Sequence, residues 1–159
     1  MHHSPALARR ERGVATIEFA ICAPVLLLLM LATAELGRAI FQYNTLAKGV
    51  RDGARYVATN SSVGSTRLVT ITPARRNEAC NLIRTGNIAG AGQTLLPGTT
   101  ACDIDATEGP GGFADGFISV SATYTYRPML GATLPTFGFG EPINLSRELA
   151  ATVVVRALP

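Results

Sequence analysis

The chain has no tryptophan, and aromatic residues fill only 6% of its 159 positions, too few for a platform on which nucleic-acid bases could stack. Charge is also scarce. Asp, Glu, Lys and Arg together make up 16%, the net charge is only +3, and much of the positive charge sits in Arg9, Arg10 and Arg12. Beyond these, basic residues are scattered and no run tracks a phosphate backbone, so no nucleic-acid partner is expected. The only histidines, His2 and His3, lie at the start of the chain. No serine or cysteine has a base beside it in a recognisable motif. Gly111-Gly112 lacks the preceding strand and the following lysine of a phosphate-binding loop. These absences predict a protein that is not an enzyme and carries no cofactor.

What the chain does have is a long apolar run. From Phe19 to Ala34 there is no charged residue. Taken from Val14 to Gly37, a helix would extend about 36 Å at 1.5 Å per residue, enough to cross a hydrocarbon core of about 30 Å. Arg9, Arg10 and Arg12 at its start place the N-terminus in the cytoplasm and the rest of the chain across the membrane. Pro24 lies inside the run and is expected to kink the helix or loosen its hydrogen bonding. Glu18 does not belong in a plain anchor, because a carboxylate in hydrocarbon costs roughly 2.5–3.5 kcal/mol even on insertion-derived scales. It therefore calls for a partner, and a free amine at Val14, made by a cut after Gly13, would supply one.

The segment Gly13-Val14-Ala15-Thr16-Ile17-Glu18-Phe19-Ala20 resembles the signal sequence cut by prepilin peptidases, with glycine before the cut and glutamate at the fifth mature position. Together with Pro24-Val25-Leu26-Leu27-Leu28, Glu35-Leu36-Gly37-Arg38 and Arg51-Asp52-Gly53-Ala54-Arg55-Tyr56, it is similar to TadE-like pseudopilins of bacterial tight-adherence (Flp) pilus systems. The resemblance covers residues 12–57. It implies a minor pilin cut between Gly13 and Val14 and used in pilus assembly, adhesion or initiation, with Glu18 serving assembly. It also implies a prepilin peptidase, other pilins or pseudopilins, the inner-membrane assembly platform and membrane lipid as partners. The location implied is a single pass through the inner membrane, cytoplasmic N-terminus and periplasmic C-terminal domain, and outside the cell once in a pilus. Three alternatives stay open from the residues themselves. One is a secretory signal peptide with an A-x-A-like site at Ala32-Thr33-Ala34, before Glu35. Another is an uncleaved anchor whose Glu18 snorkels to the headgroups. The last is an anchored periplasmic scaffold or binding protein that never enters a filament.

The expected organisation is a leader, 1–13, a transmembrane helix, 14–37, an amphipathic extension, 38–58, and a periplasmic α+β domain, 59–159. In the extension Leu36, Ile40, Phe41, Tyr43, Leu46, Ala47, Val50, Ala54 and Val57 recur at spacings of three and four, which predicts one face that packs. Gly49 and Gly53 could admit a close neighbour. Thr72 as N-cap, Pro73 at the first helical position and Gly86 or Asn87 as the stop predict a second, short helix. Asn87 to Thr100 reads as a loop too polar and glycine-rich for the core. Gly116–Arg127 and Leu149–Leu158 alternate as strands, and Leu130–Pro142 reads as an irregular connection. The fold class is α+β, a long helix against an antiparallel sheet of two to four strands, as in pilin-like proteins.

Three cysteines complete the reading. Cys22 lies in the apolar run and reads as a small apolar residue. Cys80 and Cys102 fall in the exported part, where an oxidising compartment favours a disulfide, with two free thiols as the alternative. Neither has a C-x-x-C partner for zinc, and His2 and His3 lie on the other side of the membrane. Asp103, Asp105, Glu108 and Asp115 are expected on a glycine-rich loop as candidate calcium ligands. Their spacing is not that of an EF-hand, and solvated surface acids are the ordinary explanation.

Overall fold

The computed structural model describes residues 5–61, 69–98, 100–105, 116–129, 131–134 and 140–157. Its elements in chain order are α1 (Pro5–Asn60), α2 (Pro73–Thr85), β1 (Thr100–Asp105), β2 (Phe117–Thr125), β3 (Thr133–Leu134), β4 (Ile143–Asn144) and β5 (Glu148–Arg156). The result is an α+β chain with a long N-terminal helix and a small antiparallel sheet. Helix α1 has 56 residues and runs through Pro24, so it begins inside the expected leader and continues past the apolar run without a break.

Only the upper part of α1 packs. Its buried stripe is Glu35, Gln42, Leu46, Val50, Ala54, Val57 and Ala58, with Ala39 partly covered. Against this stripe lie Ile118, Val120, Ala122 and Tyr124 of β2, Ile104 of β1 and Ala151 of β5. The sheet has the order β1-β2-β5, antiparallel throughout, with Cys102 opposite Ala122 and Val120 opposite Val153. The alternation of β2 decides its two faces: every second residue, from Ile118 to Tyr124, is buried against the helix.

The α2 boundaries follow from local chemistry. The Thr72 hydroxyl accepts from the Arg75 N–H at 3.4 Å, Pro73 occupies the first turn, and Gly86, at φ 71°, ends the helix with its N–H donating to the Leu82 carbonyl. Helix α2 crosses α1 at Gly49 and Gly53. A Cβ on Gly49 would lie 3.0 Å from the Ile83 carbonyl oxygen, and one on Gly53 would lie 2.8 Å from Ile83 Cγ1. The close neighbour that these two glycines admit is therefore α2 of the same chain.

Several expectations need correction. Leu36, Ile40, Phe41 and Tyr43 are exposed, although the periodicity put them on the packed face. The sheet meets α1 along the Val50–Ala54–Val57 side, and stepping back from there by helical spacing reaches Leu46, Gln42, Ala39 and Glu35 instead. Asp103 and Asp105 are not on a loop; both lie on β1, exposed on one side of the strand, while Ile104 between them is fully buried. Leu96 in the 87–100 segment is buried in the core, and the Leu95 N–H donates to the Arg84 carbonyl at 2.8 Å. Within the 130–142 connection Thr133 and Leu134 form β3, which pairs with β4, Thr133 opposite Asn144 and Leu134 opposite Ile143.

Candidate functional site

Two regions of α1 carry the candidate chemistry. The first is its lower half. Val14, Ile17, Phe19, Ile21, Val25, Leu26, Leu27, Leu29 and Met30 are each at least half exposed, and α1 is the one helix among the described residues long and apolar enough to cross a membrane. An apolar surface this long is not tolerated in water; it marks a membrane or protein contact. Gly13 and Val14 lie within the helix, and a Cβ on Gly13 would meet nothing within 4 Å. Glu18 is exposed on the same bare surface, and Cys22 is a free, exposed cysteine.

The second region is where the globular part is fastened to α1. Glu35 is only 6% exposed, and its carboxylate accepts from the Tyr126 hydroxyl and, at 2.6 Å, from the Met129 N–H. The Tyr126 hydroxyl also lies 3.3 Å from the Glu35 carbonyl oxygen. Burial raises the Tyr126 pKa, and the hydrogen bond to Glu35 adds to this, taking it to about 12. Two turns further along the stripe, Gln42 is 5% exposed and its Oε1 has no hydrogen-bond partner among the described residues. The sequence reading used Glu35 as part of the Glu35-Leu36-Gly37-Arg38 stretch of the family resemblance and as the residue after a possible signal-peptide cut. The available signal was its helical spacing from Ala39, Gln42 and Leu46, which aligns it with the buried stripe. Nothing in the sequence paired it with Tyr126.

The rest of the domain is held by similar ties. Cys80 of α2 and Cys102 of β1 form a disulfide with a Cα–Cα distance of 5.8 Å. The Arg84 Nε donates to the Thr100 carbonyl at 2.9 Å, and the Tyr56 hydroxyl donates to Glu78 at 2.6 Å, which raises the Tyr56 pKa. Burial raises that of Tyr124, whose hydroxyl donates to the Pro97 carbonyl at 3.0 Å. Among the described residues no group of three or more His, Cys, Asp or Glu side chains is placed to hold a metal ion. Of the candidate calcium ligands, Glu108 and Asp115 lie outside the described residues.

The bare helix, Glu18 and the Glu35 fastening all fall in one stretch, and residues 13–55 match the family described as TadE-like protein. Over this stretch the chain is TadE-like. The match opens at Gly13 and takes in Glu18, Glu35, Gly49 and Gly53, then stops before α2 and the sheet. A TadE-like segment implies association with the Tad pilus and suggests partners of the pilin type. The apolar TadE-like helix also agrees with a membrane-anchored protein. No curated protein and no solved structure matches the chain.

Proposed function

We propose that this TadE-like protein is a minor pilin or pseudopilin of a Tad pilus, made as a precursor and cut after Gly13 by a prepilin peptidase. The observation that carries the reading is the bare apolar half of α1, which begins at Gly13–Val14 with Glu18 exposed one helical turn further on. In the precursor α1 spans the inner membrane with its N-terminus in the cytoplasm, and the α2–sheet domain is periplasmic. Helix α1 is already formed on both sides of Gly13. The peptidase must therefore unwind a turn there, and glycine, the ordinary residue least suited to a helix interior after proline, makes that opening easier.

After the cut, Val14 presents an amine at the cytoplasmic edge of the bilayer. In a bundle of such helices it neutralises the Glu18 carboxylate of a neighbour, a pilin or another pseudopilin, where either charge alone is costly. Exposed Leu36, Ile40, Phe41 and Tyr43 extend the apolar surface above the membrane and give a neighbouring helix further contact.

The deciding experiment is the intact mass of the protein extracted from its own host. Val14 as first residue supports the proposal, and the precursor with Gly13→Val should stay uncut. An intact N-terminus would replace it with the anchored-scaffold reading. Glu35 as first residue would replace it with an ordinary secretory signal. Glu18→Gln should be cut and inserted normally yet fail to co-purify with other pilus components after crosslinking.

A further inference from the structure

The β2–β5 ladder runs from Phe117 opposite Arg156 to Thr125 opposite Glu148, and the Tyr126 N–H extends it by donating to the Arg147 carbonyl at 2.8 Å. Arg127 and Ser146, on either side of this bond, therefore stand at the same end of the sheet. It is the end at which Tyr126 and Met129 hold Glu35. Along α1, Glu35 is the first charged residue after Glu18, so this end of the sheet stands at the level where the uncharged surface of the helix stops.

What the domain presents at that level is apolar. Met129 is 77% exposed and Ile143 is 53% exposed. Met129 precedes the β3–β4 hairpin and Ile143 lies in it; the hairpin is closed by its strand pairs and by the Leu145 N–H donating to the Ala132 carbonyl at 2.9 Å. Between Arg127 and Glu141 the sequence has no charged residue. Arg127 and Arg147, next to the backbone bond between Tyr126 and Arg147, are exposed. Glu141 is the acid of this connection, and Glu148 opens β5 opposite Thr125. Exposed apolar side chains beside exposed arginines suit the membrane interface, where the apolar groups enter the acyl boundary and guanidinium groups meet phosphates.

We propose that the β3–β4 hairpin is a second membrane contact, a foot resting on the outer surface of the phospholipid bilayer that α1 spans. Met129 and Ile143 sit in the acyl boundary, and Arg127 and Arg147 lie at the headgroup phosphates. Glu35 is the positioning residue: by holding the Met129 N–H it sets the depth of the foot and the tilt of the domain against the helix. The proposal rests on α1 being a membrane span, as in the preceding section.

The lack of tryptophan makes a direct test available, because any introduced tryptophan is the sole reporter. Full-length protein carrying Leu27→Trp, Met129→Trp, Ile143→Trp or Thr152→Trp is reconstituted into phospholipid vesicles with brominated acyl chains. Quenching and blue-shifted emission are expected for the reporters at 27, 129 and 143. Thr152, exposed on the far strand, should report water. Quenching at 27 without quenching at 129 and 143 overturns the foot while leaving the span intact. No quenching at 27 overturns the span and the foot with it. Quenching at all four sites means that the whole domain lies in lipid, and that also overturns the proposal. In the Met129→Trp background, Glu35→Ala should reduce quenching while the Cys80–Cys102 disulfide still forms. Unchanged quenching removes Glu35 from the positioning role.

Discussion

The Tyr126 hydroxyl donates to the Glu35 carboxylate across 91 residues of sequence, and the Met129 N–H donates to the same carboxylate at 2.6 Å. A buried carboxylate is costly unless donors converge on it, so the pairing is the condition on which Glu35 can occupy a buried position at all. It ties the outgoing end of β2 to the helix at the point where the apolar surface of α1 ends.

Removing either side of this tie should destabilise the domain. Tyr126→Phe is expected to cost about 1–3 kcal/mol, because one donor to a buried charged acceptor is lost. Glu35→Gln should be worse than its shape suggests: its oxygen can accept from one donor, but its amide then faces the other. Urea unfolding in detergent, followed by circular dichroism, measures both.

Stability should fall in strong alkali, with Tyr126 as one cause. Its pKa lies near 12 in the fold against 10.0 when unperturbed, so the folded protein keeps a proton that the unfolded chain has lost. The contribution is complete below pH 10 and disappears as pH rises toward 12. Tyr56 and Tyr124, also raised, act in the same direction. Unfolding of Tyr126→Phe measured from pH 9 to 12 should show a shallower loss than the parent protein.

The α1–α2 crossing tests the glycines. Alanine in place of Gly49 or Gly53 gains about 0.8–1 kcal/mol of helix propensity but overpacks a crossing, which costs about 1–3 kcal/mol. At Gly49 the obstacle is backbone, the Ile83 carbonyl oxygen at 3.0 Å, so α2 itself must move and the variant should be net destabilised. At Gly53 it is the Ile83 side chain. The double variant Gly53→Ala with Ile83→Ala should therefore lose less stability than the two single losses combined. Thermal melts of the four proteins form the cycle.

Reduction of Cys80–Cys102, 22 residues apart, should lower the stability of the domain by about 3 kcal/mol, chiefly by freeing the unfolded chain. Cleavage at Gly13 should be unaffected, because it lies at the far end of α1. Melts with and without reductant, alongside a processing gel, separate the two effects.

The sequence by itself determined the features governed by neighbours along the chain. The uncharged run from Phe19 to Ala34 makes a helix with no water-compatible face, whatever the rest of the chain does. Thr72, Pro73 and Gly86 set the limits of α2 through caps made within a few residues. The two-residue alternation of 117–125 and 148–156 settled which side chains of β2 and β5 share a face. Even the Cys80–Cys102 bridge was legible, since only two cysteines lie outside the apolar run.

Tertiary structure decided which face of α1 is covered. Between Leu36 and Tyr43 two stripes compete, one apolar and one containing Glu35 and Gln42, and hydrophobicity alone favours the first. The sheet covers the second, because the Val50–Ala54–Val57 side is already committed to it and a rigid helix carries that direction downward. Only then do Tyr126 and Met129 come within reach of Glu35. β1 was hidden for a related reason: Asp103 and Asp105 suggest a solvated loop until Ile104 between them is seen buried against the core. Local patterns along the chain establish where elements form. Which polar groups can be buried depends on donors brought from 91 residues away, and that distance is bridged only by the fold.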